Sequence, residues 1–118
     1  MNGLAPDVDL GFLLGKVIEQ VAVGLQDVQI NYRHGGITIE YKFLLKHPKL
    51  GQFKWDGATP EKAAQVVTLV STRITGVSGQ PDGTLVIRFS NGVLMTIFDC
   101  EDRESYTITE QGLPTIIV

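Results

Sequence analysis

Thr84-Leu-Val-Ile-Arg-Phe-Ser-Asn-Gly-Val-Leu-Met-Thr-Ile-Phe98 holds two runs of strand-forming residues around Ser90-Asn91-Gly92. Asn-Gly between such runs predicts a tight β-hairpin, because both residues tolerate positive φ. Side chains alternate across a strand, so Leu85, Ile87 and Phe89 share one face and are answered across the turn by Val93, Met95 and Ile97. That face is a ridge on which a core can form. The other face of the second run carries Leu94 and Phe98, so both sides of it are apolar and something must cover the second side.

Outward from this hairpin, the same alternation predicts more strands. VIEQVAV (17–23), VQINYR (28–33) and ITIEYKF (37–43) read as strands, with turns at Gly24 to Asp27 and at His34-Gly35-Gly36. Pro6, Asp7 and Asp9 ahead of Leu10, Phe12, Leu13 and Leu14 predict a short acid-capped lead-in over one end of the core. Leu44 to Ala58 reads as loops and bends around His47-Pro48, Gly51 and Asp56-Gly57. Thr59-Pro60-Glu61 then predicts a helix of about three turns, with Thr59 as N-cap and a buried stripe of Ala63, Ala64, Val66, Val67 and Val70. Arg73 to Val77, Tyr106 to Glu110 and Leu113 to Val118 are further strands, and Ser78 to Gly83 is a loop.

The halves of the chain echo each other. Leu13, Leu14, Ile18 and Val21 recur as Leu69, Val70, Ile74 and Val77, about 56 positions later. Ile30, Tyr32 and Gly35 recur as Ile87, Phe89 and Gly92, and Ile37 and Ile39 as Val93 and Met95. The reading is an α+β fold, mostly β. Two related β-hairpin repeats, about 13–43 and 69–98, pack on one another. A linker and helix (about 44–70) lies between them, and C-terminal strands (106–118) complete a single domain over 1–118.

Composition narrows the function classes. A chain of 118 residues with 43% hydrophobic and 19% charged residues buries one core and is not disordered. A net charge of −3 draws it neither to nucleic acid nor to an anionic membrane. Cys100 is the only cysteine, which excludes an internal disulfide and a cysteine zinc site. No basic n-region opens the sequence and no run approaches the ~20 apolar residues of a membrane span, which predicts a soluble, cytoplasmic protein.

FLLGKVIEQVAV with its following hairpin, and DGTLVIRFSNGVLMTIFD with the acidic turn and EDRESYTI after it, resemble a bacterial family of small domains of unknown function. Tyr106 stands where that family carries a tyrosine, with Thr107 and Ile108 in place of its second aromatic. The resemblance implies a duplicated β domain and no chemistry; small proteins of this kind can serve as antidotes to bacterial toxins.

Two clusters stand out as candidate sites. Asp99, Glu101, Asp102 and Glu104 could converge on a hard cation, but the spacing matches no EF-hand, and a solvated turn or an acidic face for a basic partner accounts for it as well. Lys42, Lys46, Lys49 and Lys54, interleaved with Phe43, Phe53 and Trp55, could track phosphates, yet arginine and any RNA-binding signature are missing. His34 falls in a turn and His47 precedes Pro48, and no nucleophile motif accompanies them. The expectation is a non-enzymatic protein-interaction module without cofactor, binding another protein or a second copy through Leu94, Phe98, Lys46, Lys49 and Trp55. The alternative is a small metal- or ligand-binding protein or hydrolase that uses the Asp99 to Glu104 acids.

Overall fold

In a computed structural model the described residues are Gly3, Leu4 and 8–118. Pro6 and Asp7 of the expected lead-in lie outside them. Among the described residues ten strands form two antiparallel five-stranded sheets. They are β1 (Ile18–Val23), β2 (Val28–Tyr32), β3 (Gly35–Ile39), β4 (Lys42–His47), β5 (Gly51–Trp55), β6 (Ile74–Gly79), β7 (Leu85–Phe89), β8 (Leu94–Phe98), β9 (Tyr106–Glu110) and β10 (Ile116–Ile117). The first sheet has the order β1-β2-β3-β9-β10 and the second β5-β4-β8-β7-β6.

Each sheet is therefore a mixture of the two halves of the chain. The β4–β5 hairpin, from the first half, extends the second sheet along β8, and β9–β10, from the second half, extends the first sheet along β3. The inner faces meet in one core. Val28, Ile30, Tyr32, Ile37, Ile39, Tyr106 and Ile108 come from the first sheet, and Phe43, Leu45, Leu85, Ile87, Phe89, Met95 and Ile97 from the second. The expected ridge is as read: Leu85 pairs Ile97, Ile87 pairs Met95, and the Phe89 amide donates to the Val93 carbonyl.

Its turn differs from the expectation. Gly92 has positive φ but Asn91 does not, and the Gly92 amide donates to the Phe89 carbonyl across the three connecting residues Ser90, Asn91 and Gly92. Asn91 stays in the ordinary region because its side chain is used elsewhere: Oδ1 accepts from the Val93 amide and Nδ2 donates to the Thr68 carbonyl. Ile30 pairs Ile37 while Ile87 pairs Met95, so the register does not keep the expected match of Ile37 with Val93.

Leu44 to Ala58 is not a linker. It is the β4–β5 hairpin, and ITIEYKF is broken at Glu40-Tyr41 as the chain crosses from one sheet to the other. The His47 Nδ1 accepts from the amides of Lys49 and Leu50, which closes the turn that His47-Pro48 had suggested was irregular. The loop expected over Ser78 to Gly83 begins two residues later, because Ser78 and Gly79 still pair with Val86 and Leu85.

The expected helix is a 3-10 segment, Pro60–Leu69, packed against β1 and β5. Its buried residues Ala63, Val66 and Leu69 recur every three positions, which suits three residues per turn, whereas Ala64, Val67 and Val70 of the expected stripe face outward and Val67 is 61% exposed. Thr59 does not cap with its side chain. Asp56 shapes the turn ahead of the segment, accepting from the amides of Ala58 and Thr59, and those bonds, the Ala58 one foremost, hold its carboxyl below the usual range. A shorter 3-10 turn, Gly11–Leu13, follows Asp9, whose carboxylate accepts from the Gly11 amide.

Candidate protein-binding face

The outward side of the second sheet follows from strand register. Phe43 and Leu45 point inward, so Lys42, Leu44 and Lys46 point out; by the same alternation β5 presents Gln52 and Lys54, β7 presents Val86 and Arg88, and β8 presents Leu94, Thr96 and Phe98. Pairing sets these side chains in rows. Lys46, Leu94 and Arg88 form one row, Lys54, Leu44, Thr96 and Val86 the next, and Lys42 beside Phe98 a third. Leu44, Val86, Leu94 and Phe98 are half-buried, and Lys46, Lys54 and Arg88 are exposed. Four of the ten Lys and Arg side chains thus surround an apolar strip, and none of the 13 acids takes an outward position on these four strands.

Two shallow depressions flank the strip. One of about 370 Å³ lies between Gly76, Ser78, Val86 and Arg88, and one of about 240 Å³ between Tyr41, Lys42, Lys54, Phe98 and Asp99. The glycine matters at the first: a side chain on Gly76 would press against the Arg88 stem. At the second, Tyr41 is flanked by two cations, with Lys42 Nζ 4.9 Å and the Arg103 guanidinium 5.6 Å from its ring centre.

Register alone brings Lys46, Leu94 and Phe98 of the expected interaction residues onto this face. Lys49 is exposed in the β4–β5 turn, at its rim. Trp55 is not available to a partner: it points inward, is 0% exposed, and stacks at 5.5 Å on Phe43, with its indole Nε1 buried without a hydrogen-bond partner. Arg88, Lys42, Lys54 and Leu44 complete the face. The polar positions that interrupt LVIRF and KFLLKH are their sequence signal, although only the pairing shows that they meet.

The acidic turn is built differently from a cation site. The Asp99 carboxylate accepts from the amides of Gly3 and Cys100 and from the Ser105 hydroxyl, at 2.7–3.0 Å, so it holds together the turn and the lead-in. Arg103 bends back to donate to the Glu40 carbonyl. Among the described residues no three His, Cys, Asp or Glu side chains come together in a way that could hold a metal ion. Asp82 likewise serves a turn, accepting from the Thr84 amide, which holds its carboxyl down.

Two tyrosines at the inner margins carry raised phenols. Tyr106 donates to the Gly83 carbonyl at 2.6 Å, and burial, with help from Asp99 and Asp82, pushes its pKa well above the usual value. Tyr32 donates to the Thr109 carbonyl, and burial beside Glu110 does the same. Glu110 in turn meets Lys16 at 2.6 Å, an ion pair whose angles fall outside those of a hydrogen bond, while Lys16 also lies 5.3 Å from the Tyr32 ring centre. A cavity of about 480 Å³ beside the lead-in, bordered by Leu4, Val8, Leu10, Leu14, Val77 and Gly79, has no titratable side chain among its described lining.

These features define a class: an antiparallel two-sheet β protein in which His47, Asp56, Asp82 and Asp99 are engaged in turns, and which carries a charged apolar surface on a sheet face. The chain belongs to a family of unknown function, DUF6188, whose model matches residues 12–118. No curated protein and no solved structure matches the chain. No described helix is long and apolar enough to cross a membrane.

Proposed function

We propose that this chain is a non-catalytic protein-interaction module that holds another protein against the outer face of its second sheet. The observation that carries the reading is the contrast between the two sheets. The first sheet has the same arrangement of strands, yet the outward positions of β1, β2, β3 and β9 are Gln20, Ala22, Gln29, Asn31, Thr38, Thr107 and Thr109, small or neutral polar residues of the kind that suit water, with Ile117 of the two-residue edge strand β10 as the apolar exception and no cation beside it. Sheet construction therefore does not require Leu44, Leu94 and Phe98 ringed by cations on the second. An apolar centre with a polar rim is how protein interfaces are built.

His47, Asp56, Asp82 and Asp99 support the non-catalytic part, since each serves a turn. A second copy is disfavoured at this face, because a two-fold contact would bring its cationic rim against the same cationic rim of the other copy. Neutralising a toxin is one specific form that the proposed activity could take. The two halves are read as copies of one unit. Supporting this, Gly15 and Ser71 both have positive φ, their amides donate to the carbonyls of Ile74 and Ile18, and β1 and β6 both shift register two residues in, after Ile18 and Ile74.

Affinity capture from the organism that encodes the chain tests the reading, with wild type run beside Leu94→Glu/Phe98→Glu. A partner identified by mass spectrometry that wild type retains and the folded double variant loses supports it. Equal retention by both removes the face as the docking site.

A further inference from the structure

We propose that the occupant of this face is an acidic amphipathic protein segment, with carboxylates placed around an apolar centre. The inference rests on the reading of the face as a docking surface and adds the chemistry of what docks. Lys46 and Arg88 stand on strands two apart, so their backbones are roughly 10 Å from one another, with Leu94 between them. Lys42 and Lys46 are four residues apart along β4, roughly 13 Å, and Lys54 closes the third side beyond Leu44. The frame is about the width of an α-helix with its side chains, roughly 10–12 Å. A helix laid on it would put Leu or Phe onto Leu44, Leu94 and Phe98, while acids on its flanks reach the four cations.

Charge selects this partner over the alternatives. The chain as a whole is acidic, at −3, so four cations on one face with no acid on its strands, and with Asp99 at its edge tied to the Gly3 and Cys100 amides and the Ser105 hydroxyl, give that face a sign opposite to the molecule's. A nucleic acid would use cations with stacked aromatic rings, and the outward positions of β4, β5, β7 and β8 hold one aromatic, Phe98. The apolar strip has no role against a phosphate backbone, but it matches the buried centre of a protein contact. The long lysine stems add apolar area at the rim while their ammonium groups stay in water.

The experiment uses the full chain and defined probes. A synthetic helical peptide with Leu and Phe on one face and Glu on both flanks is titrated by fluorescence anisotropy, beside the same peptide with Lys for Glu, one with Ser for its apolar residues, and a single-stranded oligonucleotide. The Glu peptide binds best, loses affinity as salt rises from about 0.05 M to about 0.3 M, and weakens about tenfold or more, some 1.4 kcal/mol, on Lys46→Glu/Arg88→Glu. That variant, its fold checked by circular dichroism, gains affinity for the Lys peptide. The Ser peptide binds more weakly than the Glu peptide. Tighter binding of the oligonucleotide, equal binding of Glu and Lys peptides, or indifference to the charge reversal overturns the inference.

Its failure is separable from failure of the broader reading. A natural partner lost by Leu94→Glu/Phe98→Glu but retained by Lys46→Glu/Arg88→Glu leaves the docking face standing and removes the acidic occupant. A partner retained by both variants removes the docking face itself.

Discussion

The Lys16–Glu110 contact joins the entry of β1 to the end of β9, and its strength can be worked from its surroundings. The side chains are 27% and 12% exposed and approach to 2.6 Å, which places the pair between a surface ion pair, worth ~0–1 kcal/mol, and a buried one, whose breaking costs ~3–5 kcal/mol. Lys16→Met leaves the Glu110 carboxylate against the Tyr32 ring with no counter-charge and removes a cation–π contact worth ~0.5–1 kcal/mol. The expected loss is about 2 kcal/mol. Glu110→Gln should cost about 1–2 kcal/mol, and the double change Lys16→Met/Glu110→Met less than the two single changes together, because replacing both partners leaves no orphaned charge. Urea unfolding followed by Trp55 emission measures all four proteins, since this only tryptophan is wholly buried and reports loss of the core directly. A coupling below about 0.5 kcal/mol, at unchanged denaturant slope, would refute the argument that this pair ties the halves together.

Further expectations follow from the same packing. Tyr106→Phe removes a buried hydroxyl that donates to the Gly83 carbonyl and should cost ~1–3 kcal/mol in urea unfolding. Because burial raises the phenols of Tyr32 and Tyr106 above their unfolded value near 10, stability should be indifferent to them below about pH 10. It should fall above that, as the unfolded chain ionises first, by up to roughly 1.4 kcal/mol per pH unit for each tyrosine; thermal melts from about pH 8 to about pH 12 would show the break. Ser71, at φ 73, should gain stability on change to Gly, while Gly15→Ser, at φ 85, should lose it, each by ~1 kcal/mol on chemical denaturation. Phe89→Ala should cost ~3–5 kcal/mol, since its ring is buried in the core.

The β7–β8 hairpin is legible in the sequence because its alternation is uninterrupted and its turn residues are local signals. The β4–β5 hairpin is not, although Phe43, Leu45, Phe53 and Trp55 alternate as they should. Lys42, Lys46 and Lys54 on the outward positions, with Leu44 breaking the polar face and Pro48 in the turn, give it the look of a linker. The 3-10 segment hides for a related reason: a stripe at every third residue and one at 3.6 share several positions, and only the exposure of Val67 and Val70 separates them. Half of the proposed face is readable, since Leu94 and Phe98 lie on the second side of an apolar strand. Arg88 sits beside Leu94 in the same hairpin, but Lys46 comes from β4, far away in the sequence, and pairing between distant strands leaves no local trace.

The exchange of hairpins between sheets bears on how the chain is made. As it emerges from a ribosome, β1, β2 and β3 can pair at once, but the strand that covers the free side of β3 is β9, about 70 residues later. At roughly 5–20 residues per second, that side waits for several seconds with its amides and carbonyls open. During the wait, the β4–β5 hairpin of a neighbouring nascent chain offers the same kind of edge as the missing partner, so crowded synthesis should favour intertwined dimers and a need for chaperones. Once the last hairpin arrives, each half holds a piece of the other, and a single cut between β5 and β6 should leave two fragments that stay together until both unfold.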